Sequence, residues 1–198
     1  RDWWRLKHHL EPDSKLVDRT MNYACLALQG PNSRDLLQPI VDSDLTKEAF
    51  KFGTGKFSML AGQPVWIQRL SYVGELGWEI FIPNENAIKV LKEIQLAGKT
   101  FDLSNVGLHA VNSLRLEKGY RDYGHDIDNT DTLMESGLSF TADFKKENGF
   151  LGKNAVLKQK QQGPLKSRLV NILVKDPNPM MYHAEILYRN GIVVGDVR

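Results

Sequence analysis

The stretch from Arg69 to Glu79, RLSYVGELGWE, holds the side chains best suited to grip a ligand. Gly74 and Gly77 bracket Glu75, and two glycines so placed permit a tight turn with backbone close to a bound molecule. The pattern reads as strand up to Tyr72, a break over Gly74 to Gly77, and strand again from Trp78. On that reading Glu79 projects from the face opposite Trp78 and Ile80. A carboxylate there suits a planar heterocycle that presents an N–H and an amino group side by side, because its two oxygens can accept both. A surface hairpin with solvated acidic side chains fits the same residues.

Other candidate chemistry is weaker. Asp122 to Asp131, DYGHDIDNTD, with Glu135 downstream, is acidic enough to raise the question of calcium. Numbered from Asp126, however, the sixth loop position is Asp131 and the twelfth is Gly137, where a helix–loop–helix site needs glycine and glutamate. The stretch reads instead as a solvated turn that caps itself. His8, His9, His109, His125 and His183 show no zinc-like spacing with Cys25, and the apolar neighbours of Cys25 predict a buried structural thiol. His8 and His9 are expected on the surface. Met59, Met180, Met181 and the Trp3–Trp4 pair are expected to pack in a core. Arg34, Arg69 and Arg115 could meet an anionic tail, but nothing in their spacing groups them. No G-x-S-x-G, phosphate-binding loop or dinucleotide-binding G-x-G-x-x-G is present, so a flavin or nicotinamide would need a domain outside this stretch.

The elements that must position these residues follow from periodicity. Tyr23 to Gln29 is a short apolar strand closed by Gly30-Pro31. A helix begins at Pro31, places Leu36, Leu37, Ile40 and Val41 on one face, and ends near Gln38 because Pro39 follows. Lys56 to Leu60 and Pro64 to Ser71 read as strands joined by Ala61-Gly62-Gln63. Trp78 to Ile82 alternates, and the helix after it carries Ala87, Ile88, Leu91 and Ile94, with Gly98 as its stop. Strand, helix, strands, helix is the order of a ferredoxin-like α+β unit with a largely antiparallel sheet. A further helix over Gly107 to Lys118 sets Leu108, Val111 and Leu114 on one side, and another spans Gly152 to Gln161. After Gln162-Gly163-Pro164 the pattern turns to β: Arg168 to Val174, then Glu185 to Arg189 and Ile192 to Gly195 joined by Asn190-Gly191. This predicts a domain boundary near residue 164.

Composition narrows the function classes. The chain has 198 residues, 41% hydrophobic and 25% charged, with a formal net charge of +2. That balance gives no footprint for nucleic acid or a membrane surface, and no apolar run is long enough for a membrane span. One cysteine precludes an internal disulfide and fits a reducing compartment. A chain that opens at Arg1 without Met and closes on a hairpin with unpaired edges is expected to be a piece of a larger protein.

Several of these segments, taken in order, resemble one family. LQGPNSRDLL (Leu28 to Leu37), RLSYVGELGWEIFIP (Arg69 to Pro83), SLRLEKGYRDYGHDI (Ser113 to Ile127) and GFLGKNAVLKQ (Gly149 to Gln159) are similar to the folate-binding aminomethyltransferases. That family takes in the glycine-cleavage T-protein and the C-terminal halves of dimethylglycine and sarcosine dehydrogenases. The resemblance implies that residues 1–163 form the central part of an aminomethyltransferase-like folate-binding domain, and that 164–198 begin a C-terminal antiparallel β-barrel domain. It implies that Glu79 contacts the pterin ring of tetrahydrofolate and that Tyr72 lines the same pocket, with Glu75 and Trp78 as further candidates.

No catalytic residue or metal ligand is implied within the chain, since the family's catalytic aspartate lies upstream of the matched stretch. Glycine-cleavage proteins carry a folate-holding arginine where this chain has Val111, which sets it apart from them. Pro179 to Arg198 leans toward the sarcosine dehydrogenase branch. That branch implies FAD-dependent oxidative N-demethylation of sarcosine in the mitochondrial matrix. The one-carbon unit passes to tetrahydrofolate and the electrons to an acceptor flavoprotein. Dimethylglycine dehydrogenase, a glycine-cleavage aminomethyltransferase, or a non-catalytic relative such as the pyruvate dehydrogenase phosphatase regulatory subunit are the alternatives.

Overall fold

The computed structural model describes residues 2–198, which divide into two compact units, the first running to Leu114 and the second from Arg115 to Arg198. The expected boundary at residue 164 falls inside the second unit.

The first unit opens with a short helix, α1 (Asp2–His8), that buries none of its residues. Trp3 and Trp4 are therefore exposed and do not pack in a core as expected. The sheet begins with β1 (Tyr23–Gln29), whose ends match the apolar run in the sequence. Helix α2 (Ser33–Leu37) passes into a tighter turn at Gln38–Ile40, where Pro39 brings no N–H to continue the α pattern. β2 (Gly55–Leu60) and β3 (Gln63–Gln68) are joined by Ala61-Gly62 alone, both at positive φ, 49° and 71°. Two left-handed residues in succession give the hairpin turn that matches strand twist. β4 (Gly77–Pro83) leads into α3 (Asn84–Ala97).

The four strands are antiparallel throughout, in the order β1-β4-β3-β2. Antiparallel pairing was expected, but the ferredoxin-like arrangement was not realised. Such a unit sets β3 between β1 and β2, whereas here β2, β3 and β4 run as a meander and β1 pairs with the far edge of β4. The segment linking β3 to β4 turns straight back, so β4 takes the neighbouring place.

One face of the sheet carries Leu28, Leu60, Val65, Ile67, Trp78, Ile80 and Ile82, all buried against Leu36 and Leu37 of α2 and Val90 and Ile94 of α3. Burying such side chains contributes roughly 1.5–3 kcal/mol each and is what holds the unit together. The buried stripe of α3 runs through Val90, while Ile88, expected on that stripe, is 65% exposed. Gly98 ends the helix beneath Leu103, so close that a Cβ on Gly98 would meet Leu103 Cδ2 at 2.4 Å.

The second unit starts within α4 (Leu108–Glu117), the helix that carries the division. Its expected apolar side is not buried: Leu108 is 87% exposed, and the buried residue is Arg115. α5 (Lys153–Gln161) forms one residue later than expected. Arg168 to Val174, expected as a strand, forms no strand and leaves Val170, Ile172 and Leu173 exposed. β5 (Ile186–Arg189) and β6 (Ile192–Asp196) pair through Asn190-Gly191, both at positive φ, as the sequence predicts. Met180 and Met181 are exposed, against the expectation of core packing. No helix among the described residues is long and apolar enough to cross a membrane.

Candidate functional site

Residues 69 to 76 leave β3, loop outward and return at β4, and both ends are tied to the fold. At the first end Arg69 N–H donates to Thr54 O at 2.9 Å, Gly53 N–H donates to Arg69 O at 3.0 Å, and Arg69 Nη1 donates to Phe50 O at 2.7 Å. At the second, Leu76 O accepts from Gly30 N–H at 2.8 Å and from the Ser33 hydroxyl at 3.1 Å. Between them Val73 is buried and Gly74 turns the chain at φ 69°. Gly77 is needed for a different reason: a Cβ there would lie 2.9 Å from Leu28 O on the adjacent strand. The loop is thus braced at both ends.

A shallow cleft of about 240 Å³ opens at this loop, lined by Phe52, Arg69, Leu70, Ser71, Glu75, Leu76 and Gly77. Glu75, exposed in the loop, faces this cleft. Glu79 lies elsewhere, on the outer face of the sheet, as strand alternation predicts. Tyr72 is partly exposed on the loop. Trp78 is fully buried on the opposite, core side, where Phe50 meets its ring edge-on at 6.4 Å and Arg34 sits 5.8 Å above it. A side chain so placed anchors β4 from behind and offers no surface to a ligand. Its indole N–H is buried without an acceptor, a cost accepted for filling the space under Glu79.

The surroundings of Glu79 come from strand register. Gln68 of β3 lies directly opposite Glu79 on β4, and its side-chain amide donates to Glu79 Oε2 at 2.7 Å. One row further along the sheet, Cys25, Phe81, Trp66 and Phe57 line up across all four strands. Phe57 meets Trp66 edge-on at 4.9 Å and is itself 79% exposed. The outer face therefore presents a carboxylate beside an aromatic row, an arrangement able to hydrogen-bond the edge of a flat heterocycle while covering its face. Gln68 escaped the sequence reading; its only signal was that alternation on β3 puts it on the same face as Trp66.

Cys25 stands on this outer face, exposed rather than buried as expected. Partial desolvation, and then the charge of Glu79, push its thiol above the ordinary value, so it is poorly suited to act as a nucleophile. Arg34 and Arg69 are engaged by backbone carbonyls, of Leu45 and Phe50 respectively. His8 and His9 are exposed, each with its Nδ1 bonded to a helix carbonyl four residues back.

In the second unit, Arg115 is buried and pairs with Asp126 while donating to Tyr120 O at 3.1 Å. Asp126 also accepts from Asp122 N–H at 2.9 Å, Asp131 from Asp128 N–H at 2.8 Å, and Asp128 from Thr130 N–H at 2.6 Å. The acidic stretch is the self-capping turn its sequence suggests, with a buried arginine at its centre.

Comparison with known proteins places these features. Residues 1–146 match the family of the GCVT N-terminal domain. The chain is 42% identical to mitochondrial sarcosine dehydrogenase of Mus musculus, over 93% of the chain and 20% of that protein. It is 33% identical to mitochondrial dimethylglycine dehydrogenase of Homo sapiens, over 93% of the chain and 21% of that protein. The glycine cleavage system aminomethyltransferase T of Bartonella henselae has a solved structure that superposes with a TM-score of 0.57 at 30% identity. That superposition covers 72% of this chain and 37% of the other. The chain spans about a fifth of the length of the two dehydrogenases it matches.

Proposed function

The chain belongs to the family of the GCVT N-terminal domain, and from that premise we propose that it is the folate-binding region of an FAD-dependent sarcosine dehydrogenase. The observation that carries the reading is Glu79, a carboxylate on a braced strand beside an aromatic row. An ionised carboxylate has about four acceptor positions, and Gln68 fills one, leaving enough to take the N–H and amino group of a pterin edge. Tyr72, on the loop leading to Glu79, borders the ligand in this reading, while Glu75 faces the neighbouring cleft and Trp78 supports the strand from the core side. Tetrahydrofolate, when bound, supplies the nitrogens that take up the one-carbon unit. The chain's own contribution is to hold and orient that acceptor, so that effective concentration supplies the rate advantage.

The higher identity to sarcosine dehydrogenase than to dimethylglycine dehydrogenase favours sarcosine as substrate. In this reading FAD is held by a domain outside these residues, electrons pass to an acceptor flavoprotein, and the enzyme works in the mitochondrial matrix. The family match stops at residue 146, and the β5–β6 hairpin forms a sheet of its own. Both support the view that a second, β-rich domain begins near residue 164.

Replacing Glu79 by Gln in the full enzyme tests the assignment. The variant is expected to release more free formaldehyde and less folate-bound carbon, with flavin reduction by sarcosine nearly unchanged. A large loss in flavin reduction contradicts a role confined to folate.

A further inference from the structure

We propose that Gln68 is a positioning residue for Glu79, fixing the carboxylate in the orientation that receives the folate ring; this rests on the folate reading of the site. Gln68 and Glu79 form the last cross-strand pair of the β3–β4 ladder, at the point where β3 ends and the loop departs. Its Nε2 donates to Glu79 Oε2 at 2.7 Å, and its Oε1 accepts from Trp66 Nε1 at 3.4 Å. These two partners settle which way the amide faces. An indole nitrogen can only donate and an ionised carboxylate can only accept, so the oxygen must turn to Trp66 and the NH2 to Glu79. The amide could not serve both partners the other way round.

Trp66 is in turn seated by its neighbours. Its ring lies across Gly55, where a Cβ would meet Trp66 Cζ2 at 2.6 Å, and Phe57 closes against it edge-on. The chain of restraint thus runs from Gly55 through Trp66 and Gln68 to one oxygen of Glu79. A glutamate on a strand face otherwise has free rotation about its terminal torsion. Capping Oε2 with a held donor removes that freedom before the ligand arrives and leaves Oε1 open. Pre-organisation of this kind raises affinity by lowering the ordering cost of binding.

The test is a double-mutant cycle on tetrahydrofolate binding, measured anaerobically with the full enzyme. Glu79→Ala, Gln68→Met and the double variant are compared with the wild type. Gln68→Met is expected to weaken binding roughly tenfold, the scale of a lost charge-assisted hydrogen bond, and to have no further effect once Glu79 is Ala. Gln68→Glu supplies a readout that mere support of the fold would not move. Its binding is expected to be weak at pH 8 and to recover toward pH 5, where the introduced carboxyl is protonated and donates in the amide's place. Equal weakening by Gln68→Met with and without Glu79, or a flat pH profile for Gln68→Glu, overturns the positioning role. Full binding by Glu79→Ala is a separate outcome: it removes the folate reading itself, and the positioning role with it.

Discussion

In the first unit the buried side chains are chiefly Leu, Ile, Val, Phe and Trp gathered on one side of a sheet, whereas the buried residues described in the second are Arg115 and Ser136. The two halves of the chain are held by different physics. Apolar burial is non-directional and tolerates small shifts, and it leaves the outer face of the first sheet free to carry Glu79 and its aromatic neighbours. A buried guanidinium is directional: it is satisfied by partners that face it, among them Asp126 and the Tyr120 carbonyl. The first unit is therefore ordered by its packed apolar core, and the second by hydrogen-bonded turns.

The largest expected effect sharpens this contrast. Trp78→Ala, which empties a fully buried site behind Glu79, is expected to cost about 3–5 kcal/mol. Hydrogen exchange should show the loss across β4 and β1, with the turn at Asp122–Ile127 little changed. Next comes Arg115→Met, which leaves Asp126 without its cation and is expected to cost roughly 3 kcal/mol. Faster exchange should then appear in that turn and spare β4. If both variants loosened both regions equally, the division into two differently held units would fail.

The smallest effect is one of pH. The Ser58 hydroxyl and then the Met59 N–H, both donating to Asp42, hold its carboxyl below the ordinary range. A carboxyl depressed in the folded state adds stability above its unfolded pKa of about 3.9, and that increment is lost as pH falls through the lower folded value. The urea midpoint should accordingly drop below pH 4 in the wild type and less in Asp42→Asn. Identical slopes in the two proteins would remove Asp42 from the account.

Several local features of both units could be read directly from residue order. The ends of β1, the break at Pro39, the outward face of Glu79 and the Asn190-Gly191 turn all follow from local chemistry, because each is decided within a few neighbouring residues. The failures share a cause in contacts distant along the chain. Gln68 meets Glu79 only through the register of β3 and β4, and the meander order is set by where the loop at 69–76 returns. Arg115 was invisible to a search for apolar stripes, since its burial depends on Asp126 rather than on hydrophobicity. Ile88 looked like core, yet the buried residues of α3 are Val90 and Ile94, one turn apart on the same face. Cys25 and the paired tryptophans look apolar in sequence, but the faces that carry them have no covering element among the described residues.

The central claim is that Glu79 receives the folate ring, and calorimetric titration of tetrahydrofolate into the full enzyme tests it most directly. Glu79→Gln should bind roughly ten- to a hundredfold more weakly than the wild type, the scale of a hydrogen-bonded charge, with an unchanged melting temperature. Equal affinity in the two proteins would contradict the account and move the ligand away from this face of the sheet.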